Sequence, residues 1–288
     1  MPIEQLGRRL EATVEVGGEP EWIGAGTDAV WVTNRGLGSV QRVDPRTNEV
    51  VASVSVNEPC NGVAIAAGAV WTASCRDQTL VRIDPVGNVI AAAVPTSVVP
   101  DGEGQLAVGF GSVWIAGGQG ELKRLDPKTN TFIATIAIPP GADAVVGNAR
   151  AIWVTDPDGD SVIRIDPATN KATATISVGP HPQFLAADDS SVWVLNQDDG
   201  SVSRVDGQTQ QVIAIDTQSV GRDAGCIGAG LGAAWVTIPD LPLTRVDGKT
   251  NTVTEQFSGA GGDCLTTGFG SIWLVNNALG TVFRIAPP

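Results

Sequence analysis

Residues 29–54 read AVWVTNRGLGSVQRVDPRTNEVVASV, and variants of this stretch recur along the whole chain of 288 residues. Each copy places a Trp in a short apolar run, and an Arg follows about eleven residues later. The gaps between successive tryptophans are 38 to 43 residues, and a period near 40 is typical of propeller blades. The recurrent tryptophans are Trp31, Trp71, Trp114, Trp153, Trp193, Trp235 and Trp273.

The copies predict two hairpins each. Apolar and polar residues alternate on both sides of an Asp-Pro or Asp-Gly turn, which is the pattern of a hairpin with one buried face. Upstream, an x-Gly pair such as Phe110-Gly111 separates two apolar arms, as in a two-residue primed turn. Each unit therefore predicts four antiparallel strands, A to D, with the Trp on B and the Arg on C. An Asn that tolerates the left-handed conformation closes most C–D turns: Asn48, Asn88, Asn130, Asn170 and Asn251.

Seven copies predict an all-β, seven-bladed propeller that forms a single domain over residues 1–288. The last copy ends after strand C, whereas residues 10–16 match a D strand with no A, B or C strand before them. We therefore predict that residues 10–16 complete blade 7 and close the ring, which leaves no free sheet edge at the join. The predicted blades cover residues 21–56, 61–96, 104–138, 143–178, 183–220, 225–259, and 264–285 together with 10–16.

Runs such as AVWVTN, followed by GSVQRVDPRTNEVVASV, resemble the YVTN/YncE-like propeller repeats, which are related to the streptogramin (virginiamycin B) lyases. The resemblance covers nearly the whole chain and implies the propeller fold. In the lyases, a Pro-His step at the start of an inner strand supplies a catalytic His that works with a second His, a Glu and a magnesium ion. This chain has one histidine, His181, and Gln183 stands where the lyase pattern has His. The resemblance therefore implies a lyase only if carboxylates replace the missing base.

The formal net charge is −13 and the sequence pI is near 4.4. This balance argues against binding of duplex nucleic acid or of an anionic membrane surface, both of which need a basic face. No stretch approaches the 18 apolar residues of a membrane-spanning helix, so we expect no membrane insertion. The first residues lack an apolar run of signal-peptide length. We therefore expect either a cytoplasmic protein or an extracytoplasmic one whose leader has been removed, and in both cases a monomer.

The four cysteines fall into two pairs. Cys60 and Cys75 are equidistant from the predicted A–B turn at residues 67–68, so we predict that they face each other and form a disulfide. Cys226 and Cys264 each lie nine residues before the Trp of adjacent blades, and their pairing stays open. The alternative for all four is that they are small residues packed in inner strands. A disulfide would indicate an exported protein, and without a CxxC motif we expect no zinc site.

The D–A connections and B–C loops should lie on one face, around the mouth of the central channel. Residues there that break the repeat are mostly polar and acidic, although a polar rim is equally expected of any soluble protein. Trp22 and Phe184 are aromatic residues outside the sevenfold set, and we predict that they form the floor or wall of a ligand pocket. The predicted ligand-binding residues are Glu21, Trp22, Asn34, Glu103, Asp143, Asp156, His181, Gln183, Phe184, Asn196, Asp223, Asp263 and Asn276.

Two functions follow from this pattern. The first is a binding or sensor propeller whose acidic mouth holds a small molecule, a cation or a peptide. The second is a lyase that uses carboxylates and a divalent ion, Mg²⁺ or Ca²⁺, at the same mouth. No catalytic residue is predicted, because the G-x-S-x-G and GxxxxGK[ST] patterns are absent. The run Asp156–Asp160 does not match an EF-hand loop, since its Gly is at the fourth position and Pro167 stands at the twelfth.

Overall fold

A computed structural model describes residues 3–97, 102, 104–117, 120–218, 225–238 and 241–288. The strands form seven antiparallel blades around a central channel, which confirms the predicted seven-bladed, all-β propeller. The only helical segment in these ranges is one 3₁₀ turn, Leu6–Arg9. No helix in the described ranges is long and apolar enough to cross a membrane.

The strands follow the predicted A-to-D order. The N-terminal strands are β1 (Ile3–Gln5) and β2 (Leu10–Glu15). Blade 1 comprises β3 (Pro20–Ala25), β4 (Val30–Asn34), β5 (Ser39–Asp44) and β6 (Glu49–Ser55). Blade 2 comprises β7 (Pro59–Ala66), β8 (Ala69–Ser74), β9 (Thr79–Asp84) and β10 (Val89–Pro95). Blade 3 comprises β11 (Leu106–Gly109), β12 (Ser112–Gly117), β13 (Glu121–Asp126) and β14 (Thr131–Ala137).

The remaining blades repeat the same plan. Blades 4 and 5 comprise β15 (Val145–Gly147), β16 (Ile152–Asp156), β17 (Ser161–Asp166), β18 (Lys171–Ser177); and β19 (Pro182–Ala187), β20 (Ser191–Asn196), β21 (Val202–Asp206), β22 (Val212–Ile215). Blades 6 and 7 comprise β23 (Cys226–Gly230), β24 (Ala233–Ile238), β25 (Leu241–Asp247), β26 (Thr252–Ser258); and β27 (Leu265–Gly268), β28 (Ser271–Asn276), β29 (Thr281–Ile285).

The recurrent Trp and Arg form one unit in every blade. Each Trp is at most 1% exposed and pairs directly with the Arg of the neighbouring C strand. The guanidinium lies over the indole ring. The distance from Arg Cζ to the ring centroid ranges from 4.6 Å in the Arg204–Trp193 pair to 6.0 Å in the Arg164–Trp153 pair. This cation–π geometry lets the aliphatic part of the Arg cover the buried ring while its charged end reaches the surface.

Several of these arginines also join adjacent blades. Arg204, for example, donates from Nη1 to the backbone oxygen of Gly248 and to Oδ1 of Asn251, both in the C–D turn of blade 6. Arg245 instead pairs with Asp247 and Glu255 of its own blade. The reason is topological, because the D strand of blade 7 comes from the N-terminal segment and blade 7 has no C–D turn to receive Arg245.

The N-terminal segment closes the ring as predicted. Strand β2 pairs antiparallel with β29 and supplies the outer strand of blade 7. The preceding strand, β1, was not predicted, and it pairs parallel with β26 as a fifth strand of blade 6. Between them Leu6 is 2% exposed, so the segment is anchored across two blades. Three residues, Ile-Glu-Gln, are too short to show the alternation that marks a strand.

The turns confirm two further predictions. In blades 2, 3, 6 and 7 both central residues of the A–B turn have positive φ, as at Phe110 (52°) and Gly111 (69°), which is the geometry of a type I′ turn, whereas the A–B turns of blades 1, 4 and 5 have no such pair. The C–D turn asparagines have φ between 53° and 58°. Turn aspartates accept backbone N–H groups of the same turns, as Asp166 does from Ala168 and Asp247 from Lys249 and Thr250.

These turn aspartates predict how acid destabilises the fold. Backbone N–H donors hold the pKa of Asp166, Asp206 and Asp247 below its usual value, and the Arg46 side chain lowers the pKa of Asp44 to about 2. A carboxyl whose pKa is depressed by folding stabilises the fold above its unfolded pKa, and this contribution is lost as the pH falls through the folded pKa. We expect Asp166→Asn to be less stable than wild type at pH 7, with the difference lost as the pH falls below the usual Asp pKa and through the lowered pKa of folded Asp166.

Urea denaturation midpoints from pH 7 to pH 2 test this expectation. Asp189→Asn is the matched control, since Asp189 is an exposed aspartate outside the C–D turns. A difference between Asp166→Asn and wild type that stayed constant over this pH range would contradict the assignment.

Candidate functional site at the channel mouth

The central channel has a volume of about 360 Å³ and is lined by the seven A strands. At the mouth, the A strands of blades 1, 2 and 5 contain β-bulges. An extra residue in a strand bends it and re-aims its side chains, and such bulges often lie next to active sites. Here the bulges fall at residues 21–22, 61–62 and 183, so they include the predicted site residues Glu21, Trp22 and Gln183.

Buried threonines of the B strands hold the bulges of blades 1 and 2 in place, and a similar contact occurs in blade 4. Thr33 Oγ1 accepts the backbone N–H of Trp22 at 2.9 Å, and Thr72 Oγ1 donates to the backbone oxygen of Gly62 at 2.9 Å. In blade 4, Thr155 Oγ1 accepts the N–H of Ala144 at 2.9 Å. Each Thr lies one or two positions after the recurrent Trp, but the bulged blade 5 has Val194 and Leu195 at these positions, so this spacing does not locate every bulge.

Trp22 crosses the channel mouth. Its backbone belongs to blade 1, yet the centroid of its ring lies 6.4 Å from the centroid of the Phe184 ring in blade 5, and the two ring planes are tilted by 44°. It also lies over Gly104 of blade 3, where an added Cβ would approach the indole to 3.8 Å. Unlike the seven recurrent tryptophans, Trp22 is only partly buried. Phe184 is 7% exposed, so it supports Trp22 from the channel side.

A chain of polar side chains links four consecutive blades beside Trp22. Asn61 Nδ2 donates to Gln105 Oε1 at 2.9 Å, and Gln105 Nε2 donates to Asp143 Oδ1. The other oxygen of Asp143 accepts the side-chain amide of Gln183. Asp143 is 9% exposed, so two neutral amides stabilise a nearly buried carboxylate at the mouth. Asp143 and Gln183 were predicted from the sequence, whereas Gln105 was not, because it lies one position out of the repeat register.

Both cysteine pairs form disulfides. The Cys60–Cys75 bridge is confirmed, with the Cα atoms 6.0 Å apart, and Cys226 is bridged to Cys264. The two cysteines do not face each other as predicted, since Cys60 pairs with Ala73. The bulge at Asn61 and Gly62 shifts the strand, so the bridge runs diagonally. The second disulfide joins the inner strands of blades 6 and 7, beside the channel.

The outer side of Trp22 borders a recess of about 200 Å³. We call this the rim recess, and its lining residues are Glu21, Trp22, Arg35, Cys60, Asn61, Cys75 and Gly102. Arg35 lies 4.0 Å from Glu21 Oε1 and 3.1 Å from Glu58 Oε1. Two carboxylates thus share one guanidinium beside the exposed side of an indole ring. The Asn61 side chain connects the rim recess to the Asp143 chain.

Three predicted ligand contacts are buried behind the rim. Asn34 Oδ1 accepts the N–H groups of Glu19 and Leu37, and Asn276 Oδ1 accepts the N–H of Leu279. Asn196 is fully buried, and its amide donates to two serine hydroxyls of its own blade. These side chains shape the B–C loops, and their burial does not favour contact with a ligand.

The other predicted residues are dispersed. Asp156 is half-buried and accepts a long bond of 3.5 Å from Ser161 Oγ. His181 has φ 50° and donates its backbone N–H to Asp160. Asp263 is exposed on the rim of blade 7, where its Oδ2 accepts the N–H of Asn277 at 2.7 Å. Partial loss of hydration raises the pKa of the Asp263 carboxyl.

Two predicted residues, Glu103 and Asp223, lie outside the described residues, so their placement stays a prediction. Among the residues described, no three His, Cys, Asp or Glu side chains gather into a group that could hold a metal ion.

Comparison with known proteins supports the fold. No protein-family model and no curated protein sequence matches the chain. Among solved structures, a streptogramin B lyase superposes with a TM-score of 0.79 at 15% identity, covering 96% of this chain and 95% of the lyase chain. The hydrazine synthase of Kuenenia stuttgartiensis superposes with a TM-score of 0.79 at 13% identity, covering 93% and 96% of the two chains. The chain therefore has a streptogramin-lyase-like propeller fold, and at these identities the likeness concerns the fold alone.

Proposed function

We propose that the chain is a monomeric ligand-binding propeller whose rim recess holds a small molecule with a positively charged group. The observation that carries the proposal is the position of Trp22, the one tryptophan outside the structural series, which a bulge places across the channel mouth. A surface aromatic ring beside carboxylates is a favourable environment for an organic cation.

The charges around the rim recess support this ligand class. The Glu21 and Glu58 carboxylates lie 4.0 Å and 3.1 Å from the Arg35 guanidinium, and the adjoining polar chain contains the Asp143 carboxylate. The net charge of −13 raises the local concentration of cations near the protein. The disulfide Cys60–Cys75 forms part of the recess wall and limits its rearrangement, so the site is largely preformed. The two disulfides also support our proposal that the protein functions outside the cytoplasm.

Thermal unfolding in the presence of organic cations tests the proposal. We would screen choline, agmatine and aromatic amines, because a ligand present at 100 times its Kd stabilises the native state by about 2.7 kcal/mol. We expect a ligand-dependent rise in Tm that disappears in Trp22→Ala and weakens in Glu21→Gln. Glu49→Gln removes the same charge from an exposed outer strand and should leave the rise intact. A rise that survives in Trp22→Ala would contradict the proposed site.

The alternative, a lyase that uses Mg²⁺ or Ca²⁺ at the mouth, makes a different prediction in the same assay. It requires stabilisation by MgCl₂, CaCl₂ or MnCl₂ that is lost in Asp143→Ala or Asp263→Ala. Stabilisation by metals with that mutational pattern would favour the lyase over the binding protein. The absence of any metal-induced shift would remove the metal-dependent alternative.

A further inference from the structure

The channel beneath Trp22 differs chemically from the rim above it. Each blade contributes residues of its A strand to the wall, and none of the lining side chains in the described part of the chain is charged. Gly, Ala, Val, Leu and Ile make up most of the wall, which lets a cavity of about 360 Å³ remain at the ring centre. This volume falls within the range of small-molecule pockets.

The wall nevertheless carries hydrogen-bonding groups. In every sheet the A strand stands at the end of the strand order, so no further strand of the described chain covers its inner edge. Runs of consecutive residues, such as 22–25, 184–187 and 226–229, line the channel, which shows that strand edges face it. A strand edge presents backbone N–H and C=O groups. The channel therefore offers apolar side chains together with neutral donors and acceptors.

Trp22 separates the two environments. It lines both the rim recess and the channel, and on the channel side it rests against Phe184. The ionic groups of the site, Glu21 and Arg35, lie in the recess and are not part of the channel wall. A charged molecule that entered the channel would lose hydration without meeting an opposite charge on the described part of the wall, which is strongly unfavourable.

We propose that the channel is a second binding site, distinct from the rim recess, for an uncharged small molecule that has apolar surface and a hydrogen-bonding group. Its ceiling is the Trp22–Phe184 pair, and its wall is the set of seven A-strand edges. The ligand fits by shape and by neutral hydrogen bonds, so its binding is insensitive to the carboxylates of the rim.

A matched pair of fluorescent probes tests this site. N-phenyl-1-naphthylamine is uncharged, and 1-anilinonaphthalene-8-sulfonate has the same skeleton with one added sulfonate. We expect saturable binding of one neutral probe per chain, and binding of the sulfonated probe weaker by about tenfold or more because its charge would be unpaired in the channel. The comparison is made at high salt, where screening weakens the general repulsion between the acidic protein and the sulfonate.

Variants locate the bound probe. Ala187→Leu and Ala229→Leu enlarge wall residues of blades 5 and 6 that also pack against the inter-blade clusters, and each should weaken binding of the neutral probe by about tenfold or more, since the larger side chain displaces the channel wall inward. Ala93→Leu introduces the same side chain on the exposed outer strand of blade 2 and should change nothing. Thermal unfolding of each variant confirms that it is folded, and two filling variants guard against the failure of one.

The proposal is overturned if neither folded filling variant weakens binding of the neutral probe, or if the sulfonated probe binds equally well at high salt. It fails separately from the rim proposal. Glu21→Gln should weaken organic-cation binding and leave binding of the neutral probe unchanged. Ala187→Leu should weaken binding of the neutral probe and leave organic-cation binding unchanged.

Discussion

Deletion of residues 1–16 is expected to prevent the ring from folding into a stable monomer. These residues contain β2, whose pairing with β29 gives blade 7 its outer strand. Val14 and Val16 are 1% and 4% exposed, and they pack in a cluster that also contains Val30 of blade 1 and Trp273 of blade 7. The deletion would thus open the seam at which the chain closes on itself.

The expected loss is large compared with the stability of a typical domain. Burial of one Val side chain contributes about 1.5–3 kcal/mol, and removal of β2 also exposes the edge of β29 and the apolar residues beneath it. Native domains are stable by only about 5–15 kcal/mol. We expect the deleted protein to lose its cooperative thermal transition and to aggregate. A synthetic peptide of residues 3–17, added during refolding, should restore the transition because it supplies the missing strand.

Deletion of residues 1–5 is the control for this experiment. It removes β1, the fifth strand of blade 6, but keeps β2 and the buried Leu6. This shorter deletion should give a folded monomer with a lower Tm. If the protein without residues 1–16 unfolded cooperatively at the wild-type temperature, β2 would not be required for closure.

The fold could be predicted because each blade repeats the same local sequence pattern. A Trp on strand B and an Arg on strand C pair directly in all seven blades, so the register of one blade defines the others. Residues 10–16 could be assigned as the missing D strand of blade 7, because an open ring would leave an unpaired strand edge. Strand β1 escaped prediction since it pairs parallel and without any repeat signal.

The site was less predictable because it depends on departures from the repeat. The bulge of blade 2 contains Asn61 at φ 62° and Gly62 at φ 122°, and it alters the partner of Cys60. Trp22 and Phe184 could each be recognised as extra aromatics in the sequence. Their contact across the ring could not, since it depends on how a bulge aims one side chain over the channel.

Replacement of Trp114 by Ala should destabilise the protein by about 3–5 kcal/mol, the usual cost of removing a buried Trp. Trp114 is fully buried, its Nε1 donates to the backbone oxygen of Gly109 at 3.0 Å, and Arg124 lies 4.8 Å above its ring. It packs in a cluster with Ile152 and other residues of blade 4, so the cavity would open at the seam between two blades.

Trp22→Ala provides the matched comparison, since it removes the same side chain from the partly exposed channel mouth. We expect the free energy of unfolding, measured by urea denaturation, to fall far less in Trp22→Ala than in Trp114→Ala. Acrylamide quenching should show the same division, because the accessible fluorescence of the wild type comes mainly from Trp22. Equal losses of stability in the two variants would mean that Trp22 is also a structural residue, and the rim recess would lose its main support as a binding site. A large difference in the loss of stability would instead show that Trp22 contributes little to the fold and can bind a ligand, whereas the seven recurrent tryptophans stabilise the blades.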